Sequence, residues 1–446
     1  MVRLIGRRGP SAEHPRRVGS RSQAERARTQ QMPGRCAMRT AGDRDWRDPA
    51  AGARLACSGN RIDMSGIDRI LTTHVGSLPR SEMVVDVVLA LEQGTPVSDE
   101  LCDAIISDAV DAEVERQKRI GIDIVSDGEF SKITYASYVR HRLTGFSGDS
   151  ALVTPADLDE FPGAAEQSRL RRASAMSFQR PLCTGPIAVR TRQPVDDDIR
   201  RMLAAVAKHR PNGAFLTAAS PGLIAIFHPN RFYPTHAAYL EALATAMRVE
   251  FRAILEAGLV LQIDCPDLAM GRHTVFKHAS DSAFLRHAEE QVEALNHALV
   301  GLPPERLRMY VSWGNYEGPH THDIPLEKIL PVLVKARPSQ LVLEAATPSH
   351  QHEWRVFQRI RLPDDKILVP GVIDVTNNYA EHPEVVADRL ERYAGVVGRE
   401  RVIASTDSGF AAFAGDRMVD PKVAFRKLDS LVRGAEIASR RLWGRR

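Results

Sequence analysis

From Ile70 onward, short apolar runs that end in small or polar residues alternate with longer amphipathic stretches. The short runs centre on Thr73–Ser77, Ile122–Ser126, Leu182–Val189, Ala214–Ala218, Val260–Ile263, Arg308–Ser312, Leu341–Glu344, Ile367–Ile373 and Val402–Ser405, and read as strands. Helical patterns separate them over Asp99–Ile120, Pro234–Ala257, Ser282–Leu299, Pro325–Ala336 and Pro383–Val397, several opened by Ser, Thr, Asp or Pro. Alternating strand and helix predicts a parallel sheet, and eight such units close it into an α/β single (β/α)8 TIM barrel. Nine strand candidates compete for eight places. The stretch from Tyr138 to Pro181 is long, polar and irregular, so it and the Leu182–Val189 strand are assigned to an inserted excursion beside the barrel mouth.

A parallel barrel carries its site at the carboxyl ends of the strands. Those ends hold His74 and Ser77, Asp127 and Glu129, Asp264 and Asp267, Asn315 and Glu317, Glu344, Asp374 with Asn377, and Asp407. Helix capping alone accounts for about half of such positions in an α/β protein. Two carboxylates sit inside apolar runs, Asp264 in Leu261–Cys265 and Glu344 in Leu341–Ala346, where each needs a cation, a metal or several donors.

Composition narrows the class. With 43% hydrophobic and 26% charged residues the 446-residue chain reads as a globular enzyme, and no apolar run reaches the length of a membrane span. Residues 1–63 carry 14 arginines, no lysine and 6 acids, so the net charge of +4 resolves into +8 there and −4 in the remainder. The body therefore offers no electrostatic case for nucleic acid. Segment 1–63 lacks hydrophobic periodicity and reads as a disordered extension, or as sequence upstream of a true start at Met64; residues 64–446 form the domain. Cys102, Cys183 and Cys265 form no C-x-x-C pair, which fits a reducing, cytoplasmic setting.

Four motifs in order carry a family resemblance: Thr73-His74-Val75-Gly76-Ser77-Leu78-Pro79-Arg80, Asp127-Gly128-Glu129, Gln262-Ile263-Asp264-Cys265-Pro266 and Gly371-Val372-Ile373-Asp374. Together they resemble the catalytic barrel of the cobalamin-independent methionine synthases and their single-barrel relatives, from about Thr72 to about Phe413. The resemblance implies a transferase moving a methyl or other alkyl group to a small thiol or amino-acid-like substrate. It implies that backbone around Val75, Gly76 and Ser77 grips the substrate carboxylate, and that Glu129 and Asp264 take its ammonium group. It also implies zinc and a folate methyl donor, the latter not identified by any residue. The family's zinc positions read Tyr310, Ser312, Glu344 and Ser408 here, and neutral hydroxyls are poor zinc donors beside thiolate or imidazole. Thr376 stands where the family places a proton-donating histidine.

The expected catalytic groups are Glu344, Asp374 and Asp407, with Trp313 and Asn315 added to the substrate-binding set. Two His-x-His pairs, His320/His322 and His350/His352, offer a different metal set with Glu344, although loop histidines are more often caps. Cys265 reads as a small buried side chain. Two further readings stand beside methyl or alkyl transfer: a zinc-independent lyase or hydrolase using mouth carboxylates, and a non-catalytic amino-acid-binding homologue. The expected partner is a small molecule.

Overall fold

A computed structural model describes residues 68–444 except 152, 172–179 and 417. The extension 1–63 lies outside the described residues. Eight parallel strands form one sheet: β1 (Leu71–Thr72), β2 (Ile124–Ser126), β3 (Gly213–Ala219), β4 (Val260–Asp264), β5 (Leu307–Val311), β6 (Gln340–Glu344), β7 (Ile367–Ile373) and β8 (Ile403–Thr406). Their spatial order is β1-β8-β7-β6-β5-β4-β3-β2. The two end strands meet through the Asp123 N–H, which donates to Thr72 O over 3.1 Å, so the sheet curls into a (β/α)8 TIM barrel.

Each strand is followed by helix that covers its outer face. Asp99–Ile120 starts at the Ser98 hydroxyl, which accepts from Leu101 N, and ends at Gly121, whose φ of 103° suits a left-handed stop. Pro383 opens Pro383–Val397, and Asp420 caps the closing helix Pro421–Trp443. The outer core joins strand faces to helices, while a smaller cluster of Leu71, Val75, Ile124, Phe215, Val260, Tyr310, Val342, Val369 and Ile403 fills the barrel interior. Arg308 is buried in that interior and engages Gln262 Oε1, Thr73 Oγ1 and His74 O, with its guanidinium 3.8 Å from the Phe215 ring centroid.

Several sequence expectations shift. The first strand is Leu71–Thr72, not Thr73–Ser77, because Gly76 turns at φ 137° and its N–H binds His74 Nδ1. The excursion is less irregular than expected, since Ala156–Glu160 and Pro162–Arg171 are helical. Leu182–Cys183 does leave the barrel, pairing antiparallel with Phe146–Ser147. The structure adds the helices Glu82–Glu92, Gln193–His209 and Pro421–Trp443.

Candidate active site at the barrel mouth

The loop after β1 is fastened from every side. Val75 O accepts from Gln262 Nε2, Gly76 O from the Ser126 hydroxyl and Ser77 O from Phe410 N. The Val75 N–H reaches Thr406 Oγ1 at 3.3 Å and the Gly76 N–H reaches His74 Nδ1 at 3.2 Å. Burial lowers the His74 pKa to about 4, which keeps the ring neutral and Nδ1 able to accept. Two of the backbone N–H groups in the expected carboxylate grip, those of Val75 and Gly76, thus have partners within the protein.

Glu129 stands beside this loop in a left-handed conformation, φ 60°, its N–H fixed by Asp127 Oδ1 at 3.0 Å. Its Oε1 accepts from the Thr217 hydroxyl at 2.6 Å, and Lys132 Nζ in turn donates to Thr217 Oγ1 and O. A Cβ on Gly76 would fall 2.8 Å from Thr217 Cγ2 and 3.1 Å from Glu129 Oε1, so this approach requires glycine. Asp264, at the end of β4, is buried, and its Oδ1 accepts from Gln262 Nε2 at 2.8 Å. Burial, reinforced by the nearby Glu129 charge, pushes its pKa up to about 8. Among the described residues no Lys or Arg comes within ion-pair distance of Asp264 or Glu129. Lys132 reaches Glu129 only through Thr217, and Arg308 is engaged elsewhere.

Across the mouth, the Ser312 hydroxyl donates to Glu344 Oε1 at 2.7 Å and the Trp313 N–H donates to the same oxygen at 3.0 Å. Ser312 Oγ also accepts from Gly314 N. Tyr310 and Ser408 are buried nearby, and burial together with the Glu344 charge pushes the Tyr310 phenol well above its ordinary pKa. This donor set does not fit zinc, because Tyr310, Ser312 and Ser408 offer neutral hydroxyls beside one carboxylate where thiolate or imidazole is wanted.

The remaining expected residues have defined partners. Asp407 Oδ1 accepts from Ala345 N and Ala346 N, and Oδ2 from Thr347 N, so this carboxylate ties the β8 turn to the loop after β6. Asp374 accepts from Thr376 N, Thr376 Oγ1 and Asn377 Nδ2 and so caps its own turn. Asn315 Nδ2 donates to Gly409 O. The Trp313 ring is fully buried, donates to Ile324 O and packs 4.3 Å from His350, while its backbone N–H reaches Glu344.

The two His-x-His pairs split. His320 and His350 both turn inward onto Asp323 Oδ2, each at 2.9 Å, and His273 Nδ1 lies 2.9 Å from Asp323 Oδ1. His322 instead faces Glu160, at 2.7 Å, so it is not joined to His320 around one point, and His352 borders a surface recess with Trp354 and Arg355. Burial alone would lower the His350 pKa, but Asp323 and Glu353 raise it to about 10. Asp323 has no strand to announce it and was missed; so were Thr217, Lys132 and Arg308. Their polar side chains within or just after apolar runs were the available signal.

A family model described as the catalytic domain of cobalamin-independent synthase matches residues 70–208. The methionine synthase of Saccharolobus solfataricus is 24% identical over 384 residues, covering 85% of this chain and 98% of that protein. The methionine synthase of Thermococcus kodakarensis is 24% identical over 377 residues, covering 83% and 94%. Among solved structures, a B12-independent methionine synthase from Shewanella sp. W3-18-1 in complex with selenomethionine superposes with a TM-score of 0.63 at 19% identity, covering 84% of this chain and 99% of that one. A putative vitamin-B12-independent methionine synthase from Listeria monocytogenes gives 0.57 at 20% identity, covering 83% and 98%. The TIM barrel is the fold that the chain shares with these two solved structures. The chain is thus similar to the cobalamin-independent methionine synthases, over residues 70–208 by the family model and over 384 residues by the Saccharolobus solfataricus protein.

Proposed function

We propose that the protein is a transferase of the methyl- or alkyl-transfer type that binds a small amino-acid-like zwitterion, and that its reaction does not run through a zinc-bound thiolate. The observation that carries this reading is the pair Glu129 and Asp264, two buried carboxylates lacking an ion-paired Lys or Arg among the described residues. An isolated buried carboxylate is unfavourable by several kcal/mol, on the order of the desolvation of an ion, and a ligand ammonium offsets that penalty. The Ser77 donors suit the other end of the same ligand, because N–H and O–H groups complement a carboxylate. Substrate placement thus comes from the loop after β1 with Glu129 and Asp264, and the reacting end of the ligand points toward Glu344, Ser312, Tyr310 and Ser408. The full-length relatives bearing the name methionine synthase support group transfer as the reaction type.

The lyase or hydrolase alternative, which would use Asp127, Glu129, Asp264, Glu344 and Asp407, is weakened at Asp407, which is held by three backbone amides. The non-catalytic alternative keeps the same pocket and differs only in turnover. Isothermal titration with free amino acids tests the pocket. Binding of an α-amino acid that disappears in Asp264→Asn and with the matching deaminated acid supports it, and equal binding of amino and deaminated ligands would refute it.

A further inference from the structure

The Tyr310 hydroxyl is the feature of the mouth that the family reading leaves unexplained. It lies beside the Ser312 and Ser408 hydroxyls, is enclosed with the residue only 6% exposed, and meets hydrogen-bond geometry with no atom of the described chain. A buried O–H without an acceptor costs about 1–3 kcal/mol, so its persistence beside the strand-end groups Ser312, Glu344 and Ser408 points to an acceptor that arrives from outside. Neither the Ser312 nor the Ser408 hydroxyl is placed to take its hydrogen, and the Ser312 hydroxyl is turned instead to Glu344 Oε1 and Gly314 N. Glu344 is the complementary half: the Ser312 hydroxyl and the Trp313 N–H both donate to its Oε1 rather than to Oε2.

We infer that Tyr310 and Glu344 together form a subsite for a neutral group that accepts one hydrogen bond and donates another, a hydroxyl or a carboxamide, at the far end of the amino-acid-like ligand. The phenol donates to the ligand oxygen and Glu344 accepts the ligand O–H or N–H. An anionic thiolate is disfavoured at this place, since the surrounding groups are neutral hydroxyls and a carboxylate rather than a cation. An apolar chain end is disfavoured as well, because it would seal the phenol hydrogen from water without replacing its acceptor. Tyr310 is on this account a specificity-determining residue, and the inference rests on the amino-acid reading of the pocket given above.

Homoserine, norvaline and homocysteine share one backbone and chain length and differ only in a terminal hydroxyl, methyl or thiol, so titrating all three into the full chain isolates the subsite. Homoserine should bind at least about tenfold tighter than norvaline and homocysteine, the gain of one hydrogen bond with a charged partner. Tyr310→Phe should shrink that preference to less than about threefold while leaving norvaline affinity and the melting temperature undiminished. Equal or tighter binding of norvaline or homocysteine, or a preference that survives in Tyr310→Phe, overturns the subsite and leaves the amino-acid pocket standing. A second series, 1-propanol and propionamide against 1-propanethiol by ligand-observed NMR, carries no ammonium group. If no amino acid binds but these fragments show a Tyr310-dependent preference, the subsite stands and the amino-acid reading falls; if neither series shows one, both fall.

Discussion

Ser312 Oγ and Glu344 Oε1 are 2.7 Å apart, joined by a single hydrogen bond at the adjoining ends of β5 and β6. Two side chains placed this closely at two strand ends could share a metal if one were a thiolate; as hydroxyl and carboxylate they satisfy each other instead. The first prediction follows from that exchange. Purified protein should hold well under one zinc per chain after mild chelation, whereas Tyr310→His, Ser312→Cys and Ser408→Cys combined should bind about one, because the barrel already fixes the strand ends. Elemental analysis of both proteins decides it; stoichiometric zinc in the unaltered chain would contradict the donor argument.

Asp264 links pocket and stability. Its folded carboxyl titrates near 8 against an ordinary value of 3.8, so the folded state holds an extra proton between those limits and stability falls as pH rises through that window. Asp264→Asn keeps the oxygen that accepts from Gln262 and removes the charge, so it should raise unliganded stability at pH 8 by about 1–3 kcal/mol and flatten the pH dependence between 4 and 8. Urea unfolding at pH 5 and pH 8 measures this. A variant less stable than wild type at pH 8 would mean that a cation already answers the carboxylate.

The Asp323 cluster has the opposite sign. His350 gains its proton affinity from Asp323 and Glu353, with a folded pKa near 10 against 6.5, so its contribution is complete below about 6.5 and is lost as pH climbs through 10. His350→Gln should cost about 3–5 kcal/mol at pH 6 and much less at pH 10. Chemical denaturation at both values checks the difference, and a pH-independent loss would assign the effect to packing against Trp313 instead.

Gly76→Ala tests how closely the loop after β1 must approach Glu129. The new methyl meets Thr217 Cγ2 at 2.8 Å and the backbone stays at φ 137°, so destabilisation of about 2–4 kcal/mol is expected together with loss of amino-acid binding. Gly94→Ala, also at positive φ but with open space around it, controls for backbone strain alone. Equal losses in the two variants would remove the contact with Glu129 from the explanation.

Residues 1–63 have no apolar pattern with which to join a core. A chain starting at Met64 should therefore melt within a few degrees of the full chain, as measured by differential scanning calorimetry. A larger drop would show that the extension packs.

The alternation of apolar runs and amphipathic stretches determined the barrel, because periodicity is a local property: β3 through β8 fall within a few residues of their expected runs, and Asp99–Ile120 and Pro383–Val397 match their patterns end to end. Sequence also singled out Asp264 and Glu344, since a charge inside an apolar strand is visible without a fold. Where each charge finds its partner was decided only in three dimensions. Asp407 and Ala345 are brought together from strand ends 62 residues apart, Asp323 gathers His273, His320 and His350 from separate loops, and Trp313 disappears beneath His350. Hydrogen bonds and screening depend on distances of a few ångströms between segments remote in the chain, and those distances exist only once the barrel has closed.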